Sequence, residues 1–197
     1  MNRIRWHFDE HVRTISALEP LFPVVAQIGN SMINCLAHGG CVMWAGNGGS
    51  AADSQHLASE LVGRFERERK GIAAIALTTD TSALTSIGND FGFESIFARQ
   101  VEAVGRPGDL LIGITTSGAS PNILRAVEVA RDRGMTTIGL TGRSGGNLKD
   151  IADVCLVVPS ESTARIQEAH IFIGHILCDL VEAHFANVQG GVGNDVR

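Results

Sequence analysis

Five short apolar runs organise the chain after residue 40. They are CVMWA (41–45), IAAIAL (72–77), DLLIGI (109–114), TTIGL (136–140) and DVCLVV (153–158). Each run is continuous rather than alternating between apolar and polar positions, which is typical of strands that are buried on both faces. Because these runs alternate with helical segments, the pattern predicts an α/β fold, a three-layer sandwich with a five-stranded parallel sheet between helices.

Residues 1–40 show a helical pattern instead. Apolar residues recur at three- and four-residue spacing on both sides of Pro20–Pro23, which predicts two helices that end at Gly39-Gly40. These helices cannot bury their apolar faces alone. We therefore expect an N-terminal helical arm that packs on the sheet or on a partner subunit.

The end of the chain is predicted to be a long helix followed by a tail. Helical spacing runs from about Thr163 to Phe185 and would close a single domain that spans residues 41–186. The glycine-rich residues 187–197 are expected to form a disordered tail.

Composition and charge exclude some classes of protein. Hydrophobic residues make up 44% of the 197 residues and charged residues 19%, as in globular proteins. The net charge is −5, and the densest basic segment, Arg64–Lys70, alternates arginine with glutamate. This pattern is typical of a solvated surface and argues against a nucleic-acid partner.

The N-terminus and the cysteines bear on location. The opening MNRIRWHFDEH lacks the apolar core of a signal peptide, and no apolar run reaches the length of a membrane span. The four cysteines form no C-x-x-C pair, and three of them lie in apolar runs, as buried free thiols do. We expect a cytoplasmic protein with no membrane partner.

The first strand is followed by a glycine-rich loop, GNGGSAAD (46–53), that leads directly into a helix. Glycines let the backbone turn sharply and approach a ligand closely. Ser50 is predicted at or near the helix N-cap, where free N–H groups and the helix dipole favour anions. A tight strand-to-helix turn with an ordinary serine cap explains this loop almost as well.

The third strand is followed by a hydroxyl-rich loop, TTSGASP (115–121). Pro121 fits the first position of the next helix, and the hydroxyls suit a phosphate ester. Two such loops at the carboxyl ends of strands in one sheet indicate a phosphate site more strongly than either loop alone. Neither matches a Walker A or a dinucleotide motif, so no nucleotide cofactor is expected.

Potential metal ligands lie on two of the predicted helices. His56 and Glu60 are four residues apart and share one face, while the last helix carries Gln167, Glu168, His170 and His175. Histidine and carboxylate ligands suit zinc. Gln167 and His175 are about 12 Å apart along a helix, so one ion would reach both only through extended side chains or from different subunits. Buried, hydrogen-bonded histidines are the common alternative, and we expect His170 to be structural.

Three segments resemble the bacterial phosphoheptose isomerases in order and spacing. They are AGNGGSAADSQHLASELVGRF (45–65), ALTTDTSALTSIGNDFGFESIFARQVEAVGRPGDLLIGITTSGASPNIL (76–124) and STARIQEAHIFIGHILCDLVEAH (162–184). The likeness covers nearly the whole chain up to Phe185. It implies the SIS (sugar isomerase) fold, which is flavodoxin-like, and a homotetramer with active sites at subunit interfaces.

The resemblance also implies which residues form the site. Those expected to bind the sugar phosphate are Asn47, Gly48, Gly49, Ser50, Glu60, Asn89, Asp90, Thr115, Thr116, Ser117, Ser120 and Gln167. Those that match the family's zinc ligands, one Zn²⁺ per subunit, are His56, Glu60, Gln167 and His175. Glu60 and His175 also match its catalytic acid–base pair. A carboxylate bound to zinc is a weaker base, so either its ligation loosens when substrate binds or the zinc is chiefly structural.

The implied reaction is aldose–ketose isomerisation of sedoheptulose 7-phosphate to D-glycero-D-manno-heptose 7-phosphate, the first step of ADP- or GDP-heptose biosynthesis. One alternative is a non-catalytic SIS adaptor that binds a replication-initiation protein or senses a sugar phosphate. Glu60 and His175 argue against it, because a binding module does not need an acid–base pair. A second alternative is an isomerase of six-carbon sugar phosphates.

Overall fold

The computed structural model describes the backbone of residues 1–190 and the side chains of residues 1–186. The helices are α1 (Asn2–Ser16), α2 (Phe22–Ala37), α3 (Gly49–Val62), α4 (Thr81–Phe91), α5 (Ala98–Val104), α6 (Pro121–Asp132), α7 (Leu148–Ile151) and α8 (Thr163–Gly190). The strands are β1 (Val42–Gly46), β2 (Ala74–Ala76), β3 (Leu110–Ile114), β4 (Thr136–Gly142) and β5 (Val154–Val158). Each strand lies within or overlaps one of the five predicted apolar runs.

The strands form one parallel sheet in the order β2-β1-β3-β4-β5. This is the flavodoxin-like order of a doubly wound sheet, which confirms the predicted fold class. β2 is shorter than its apolar run: three of its residues pair with β1 at this edge of the sheet. At this edge Ile75 is 41% exposed.

Alternate side chains of the strands enter two different cores, one on each side of the sheet. Trp44 of β1 lies in the core that α2, α3 and α8 cover, together with Leu57 and Leu177. Met43 of the same strand lies in the opposite core, which includes Val127 of α6. The carboxyl ends of β1 and β3 therefore lie between two layers of helices. The glycine-rich loop begins at the end of β1, and the hydroxyl-rich loop begins at the end of β3.

The last helix, α8, is longer than predicted because it continues past Phe185 to Gly190. Its segment Thr163–Ala186 is long and apolar enough to cross a membrane by length and composition, with a mean hydropathy of 1.2. Buried α8 side chains such as Ile173 and Leu177 instead pack in the core with β1 and α3, as in the core helix of an α/β domain. Of the predicted tail, residues 191–197 lie outside the described part of the chain.

The N-terminal arm is helical, with a short 3₁₀ turn at Glu19–Leu21 where the prolines interrupt the pattern. α1 is held to α8 by polar contacts: Arg165 donates to the carbonyl oxygen of His7 at 2.7 Å. Its apolar side chains remain outside, since Ile4 is 73% exposed and Phe8 58% exposed. In the single chain, this part of the apolar arm stays uncovered.

Candidate active site

The glycine-rich loop joins β1 to α3 in a turn that needs glycines for space. A Cβ on Gly46 would stand 2.5 Å from the backbone oxygen of Ser50, and one on Gly49 would stand 1.9 Å from Nε2 of Gln167. Ser50 lies near the helix N-cap, as predicted, although it is not the cap itself. The N-cap is Gly48, and Ser50 is the second residue of α3 and buried, because its side chain packs against Gly46.

The hydroxyl-rich loop joins β3 to α6 as predicted, with Ser120 at the N-cap and Pro121 at the first helical position. Oγ1 of Thr115 lies 2.8 Å from Oγ of Ser120 and 3.4 Å from Oγ of Ser117. Thr116 is half-buried in the same loop. These hydroxyls face one another at the start of α6, where the helix dipole favours an anion.

A pair of asparagines connects the two loops. Asn47 donates to Oδ1 of Asn122 and accepts from its amide nitrogen, both at 2.8 Å. Asn122 is 2% exposed and was missed by the sequence reasoning, since a lone asparagine in the first turn of a helix carries no motif. The pair borders a cavity of about 410 Å³ that Ser120 and Phe93 also line. A cavity of this size suits a small phosphorylated ligand.

The predicted acid–base residues converge in one chain. Nε2 of His56 lies 2.9 Å from Nε2 of His175 and 3.3 Å from Oε1 of Glu60. Helices α3 and α8 approach closely here because residue 174 is glycine: a Cβ at Gly174 would stand 2.5 Å from the side chain of Leu57. This group does not line the 410 Å³ cavity, and the His56 side chain is 46% exposed.

The same three side chains offer the ligand chemistry that zinc prefers, two imidazole nitrogens and a carboxylate oxygen. Within the described residues, no three His, Cys, Asp or Glu side chains already stand in a metal-binding arrangement. The two Nε2 atoms are 2.9 Å apart, a hydrogen-bond distance. Two nitrogens on a tetrahedral zinc are about 3.3 Å apart, so the rings would separate by roughly half an ångström. The donor set therefore fits zinc.

Gln167 lies further along the same pair of helices, beside Gly49 and Asp53. It hydrogen-bonds the Asp53 carboxylate, one turn of α3 before His56. Burial raises the pKa of Asp53, while the Gln167 hydrogen bond and nearby His56 lower it in part. Asp53 Oδ2 is buried and has no hydrogen-bond partner among the described residues. Sequence reasoning missed Asp53, although it lies three residues before His56.

Asn89 and Asp90 are placed differently from the other predicted residues. They lie in the last turn of α4 rather than in a turn between elements, and both are exposed. Their side chains hydrogen-bond each other at 2.7 Å. Neither residue lines the cavity, whereas Gly92, which follows α4, does.

Comparisons with known proteins agree with this geometry. A family model described as SIS domain matches residues 7–142. The phosphoheptose isomerase of Roseiflexus sp. is 53% identical over 182 residues, which cover 90% of this chain and 92% of the relative. The phosphoheptose isomerase of Helicobacter pylori is 54% identical over 171 residues, which cover 87% and 89%.

Solved structures give the same result. The phosphoheptose isomerase of Neisseria gonorrhoeae matches with a TM-score of 0.88 and 47% identity, over 92% of this chain and 98% of that chain. That of Francisella tularensis matches with a TM-score of 0.89 and 45% identity, over 92% and 97%. The chain therefore belongs to the phosphoheptose isomerases of the SIS domain family, and it is an isomerase.

Proposed function

We propose that this enzyme converts sedoheptulose 7-phosphate to D-glycero-D-manno-heptose 7-phosphate, the first step towards a nucleotide-activated heptose. The observation that carries the proposal is the convergence of His56, Glu60 and His175, on a helix that begins at the glycine-rich loop and on α8. The relatives named phosphoheptose isomerase support the seven-carbon substrate over a six-carbon one.

The phosphate is proposed to bind where α3 and α6 begin. Main-chain N–H groups at these helix starts and the hydroxyls of Thr115, Ser117 and Ser120 provide neutral donors for a dianion. The Asn47–Asn122 pair keeps the two loops at a constant separation. Held in this way, the sugar would extend towards α8 with C1 and C2 near Glu60.

Glu60 is proposed to take the proton from C1 and return it to C2. A carbanion beside a carbonyl is unstable, so the site must place its charge on oxygen as an enediolate. His175 is proposed to move the proton between the two oxygens, a role that suits an imidazole near neutral pH. The ligands proposed for zinc are His56, Glu60, Gln167 and His175, of which the three clustered side chains fit the ion by their donor atoms. When bound, zinc would supply Lewis-acid polarisation of the sugar oxygens.

A cytoplasmic homotetramer with active sites at subunit interfaces is part of the proposal. In the single chain, the His56 side chain is 46% exposed, although proton abstraction next to a carbonyl works best where water is excluded. The apolar side chains Ile4 and Phe8 on α1 also remain exposed. A second subunit would cover both surfaces, and Asn89 and Asp90 would contact substrate there. The four cysteines carry free thiols, as a reducing compartment requires.

Two substitutions test the catalytic assignment. Glu60→Gln and His175→Gln should abolish turnover of sedoheptulose 7-phosphate, while the substrate still raises the melting temperature of each variant. Glu68→Gln and His184→Gln make the same chemical changes at exposed positions and should keep wild-type kcat. Near-normal kcat in either site variant would refute the assigned roles. Fructose 6-phosphate in parallel assays tests the six-carbon alternative.

A further inference from the structure

An irregular segment, Gly63–Gly71, connects α3 to β2. Through Phe65 it contacts the acid–base group, which consists of His56, Glu60 and His175. The Phe65 ring is stacked on the His175 imidazole, with ring centroids 5.6 Å apart and an interplanar angle of 28°. The orientation of His175 therefore depends on where this segment holds Phe65. Backbone N–H groups of a segment without helix or strand pairing need other acceptors.

Glu182 of α8 supplies those acceptors. Its side chain has no exposed surface, and its two oxygens accept from the backbone N–H groups of Phe65 at 2.8 Å and of Glu66 and Arg67 at 2.7 Å. Burial alone would raise the pKa of Glu182. The three N–H donors and Arg69 outweigh burial and lower it, so the carboxylate stays charged.

Arg69 lies opposite Glu182 and contacts the other catalytic residue. Its Nε lies 3.2 Å from Oε1 of Glu182, and neither side chain is exposed. Its Nη2 donates to the backbone oxygen of Glu60 at 2.8 Å, and its Nη1 donates to that of Leu61 at 2.7 Å. Arg69 therefore caps the carboxyl end of α3, because it donates to two backbone oxygens in the last turn, which includes Glu60.

From these contacts we infer that the buried Arg69–Glu182 pair positions Glu60 and His175 for proton transfer, an inference that rests on the proposed function. The pair is connected to Glu60 through its backbone carbonyl and to His175 through the Phe65 ring. The same contacts also stabilise the fold, since they satisfy three backbone N–H groups, so the test must separate positioning from folding. Both residues act through others, so they are positioning residues.

Glu182→Gln is the first test. An amide retains one acceptor oxygen, but its NH₂ group would face either a backbone N–H or Arg69, so the segment must shift. We expect kcat to fall about 10- to 100-fold at a temperature where the variant is folded, with little change in KM. Asp179→Asn is the matched control: it removes the exposed 2.6 Å ion pair to Arg67 of the same segment and should keep kcat.

A spectroscopic measurement separates positioning from folding. The Cε1 proton of His175, assigned in proton–carbon correlation spectra by its loss in His175→Gln, senses the ring current of Phe65. Glu182→Gln should move this signal in the same direction as Phe65→Leu does, and Asp179→Asn should leave it in place. If Glu182→Gln lowers only the melting temperature, with kcat within twofold of the control and the His175 signal unmoved, the inference is wrong.

Two further results keep the test decisive. If Glu182→Gln does not fold, Arg69→Lys replaces it, because lysine keeps the charge but cannot reach Glu182 and the Glu60 carbonyl in the same way. Its kcat should also fall at least tenfold, and an unchanged kcat would overturn the inference. If wild-type protein fails to isomerise sedoheptulose 7-phosphate, the proposed function is wrong, while the His175 signal still reports whether the pair positions that ring.

Discussion

His170 should make the stability of this enzyme depend on pH in a range where most proteins change little. The imidazole is 1% exposed in α8, and its Nε2 donates to the backbone oxygen of Thr141 at 3.1 Å. Burial lowers the pKa of His170 to about 4, although the Thr141 hydrogen bond raises it in part. The folded protein therefore keeps this histidine neutral at pH values where an unfolded chain would protonate it.

The size of the effect follows from the two pKa values. The ordinary histidine pKa of about 6.5 applies to the unfolded chain, so between pH 6.5 and pH 4 the unfolded state binds more protons than the folded state. The stabilising contribution is complete above pH 6.5 and is lost as the pH falls towards 4. Between pH 7 and pH 5 the loss is about 2 kcal/mol, and over the whole range it is about 3 kcal/mol.

Urea unfolding at pH 7 and pH 5 measures this contribution, with tryptophan fluorescence, which includes that of buried Trp44, as the signal and equal protomer concentrations throughout. His170→Gln keeps a donor for Thr141 but cannot be protonated in this range. With a slope of about 2 kcal/mol per molar urea, the wild-type midpoint should fall about 1 M further than that of His170→Gln. His184→Gln replaces an exposed imidazole and should follow the wild type. Equal shifts in wild type and His170→Gln would refute the reasoning.

Three further predictions concern the loops and the metal. Asn122→Ala leaves the half-buried Asn47 amide without its partner, so KM for the sugar phosphate should rise about tenfold and the free energy of unfolding should fall by about 1 kcal/mol; an unchanged KM in steady-state assays would contradict this. At Gly118 the backbone φ is 68°, and an added Cβ would stand 1.8 Å from the backbone oxygen of Gly145. Gly118→Ala should therefore lower the free energy of unfolding, measured in urea, by more than Gly39→Ala does, because Gly39 has a φ of 80° but open space around it. Elemental analysis should find about one zinc per chain in wild type and much less in His56→Ala, and full turnover by verified metal-free wild type would remove the ion from the reaction.

The fold was largely predictable from the sequence because strands buried on both faces leave a clear pattern. The apolar runs at 109–114 and 153–158 each contain a strand of five residues. The run at 72–77 is as apolar, yet only Ala74–Ala76 pairs with β1, whereas β5 at the opposite edge of the sheet pairs over five residues. Edge position alone therefore does not set strand length, and the apolar pattern did not reveal that β2 is the short strand. The end of α8 at Gly190 was also missed, because the helix was predicted to end near Phe185, before the glycine-rich residues 187–197.

The site was predictable in its residue types and less so in its geometry. Spacing placed His56 and Glu60 on one face of a helix, and the structure confirms that arrangement. Ser50 was expected at or near the N-cap and lies near it, but the sequence did not identify Gly48 as the cap, because its positive φ is invisible in sequence. Asn122 lacks any motif, and its role follows only from its contact with Asn47 across two loops.

The approach of α3 to α8 decides what the predicted ligands can do together. Counting along α8 alone separates Gln167 from His175 by about 12 Å, which made a shared ion hard to reconcile with one chain. In the structure the two helices run side by side, with Gln167 beside Asp53 and His175 beside His56. Gly174 permits this contact because it has no side chain. A residue without any functional group therefore allows the acid–base residues to come together. Helix packing therefore determines the site as much as the ligand residues do, and sequence spacing within one helix cannot reveal it.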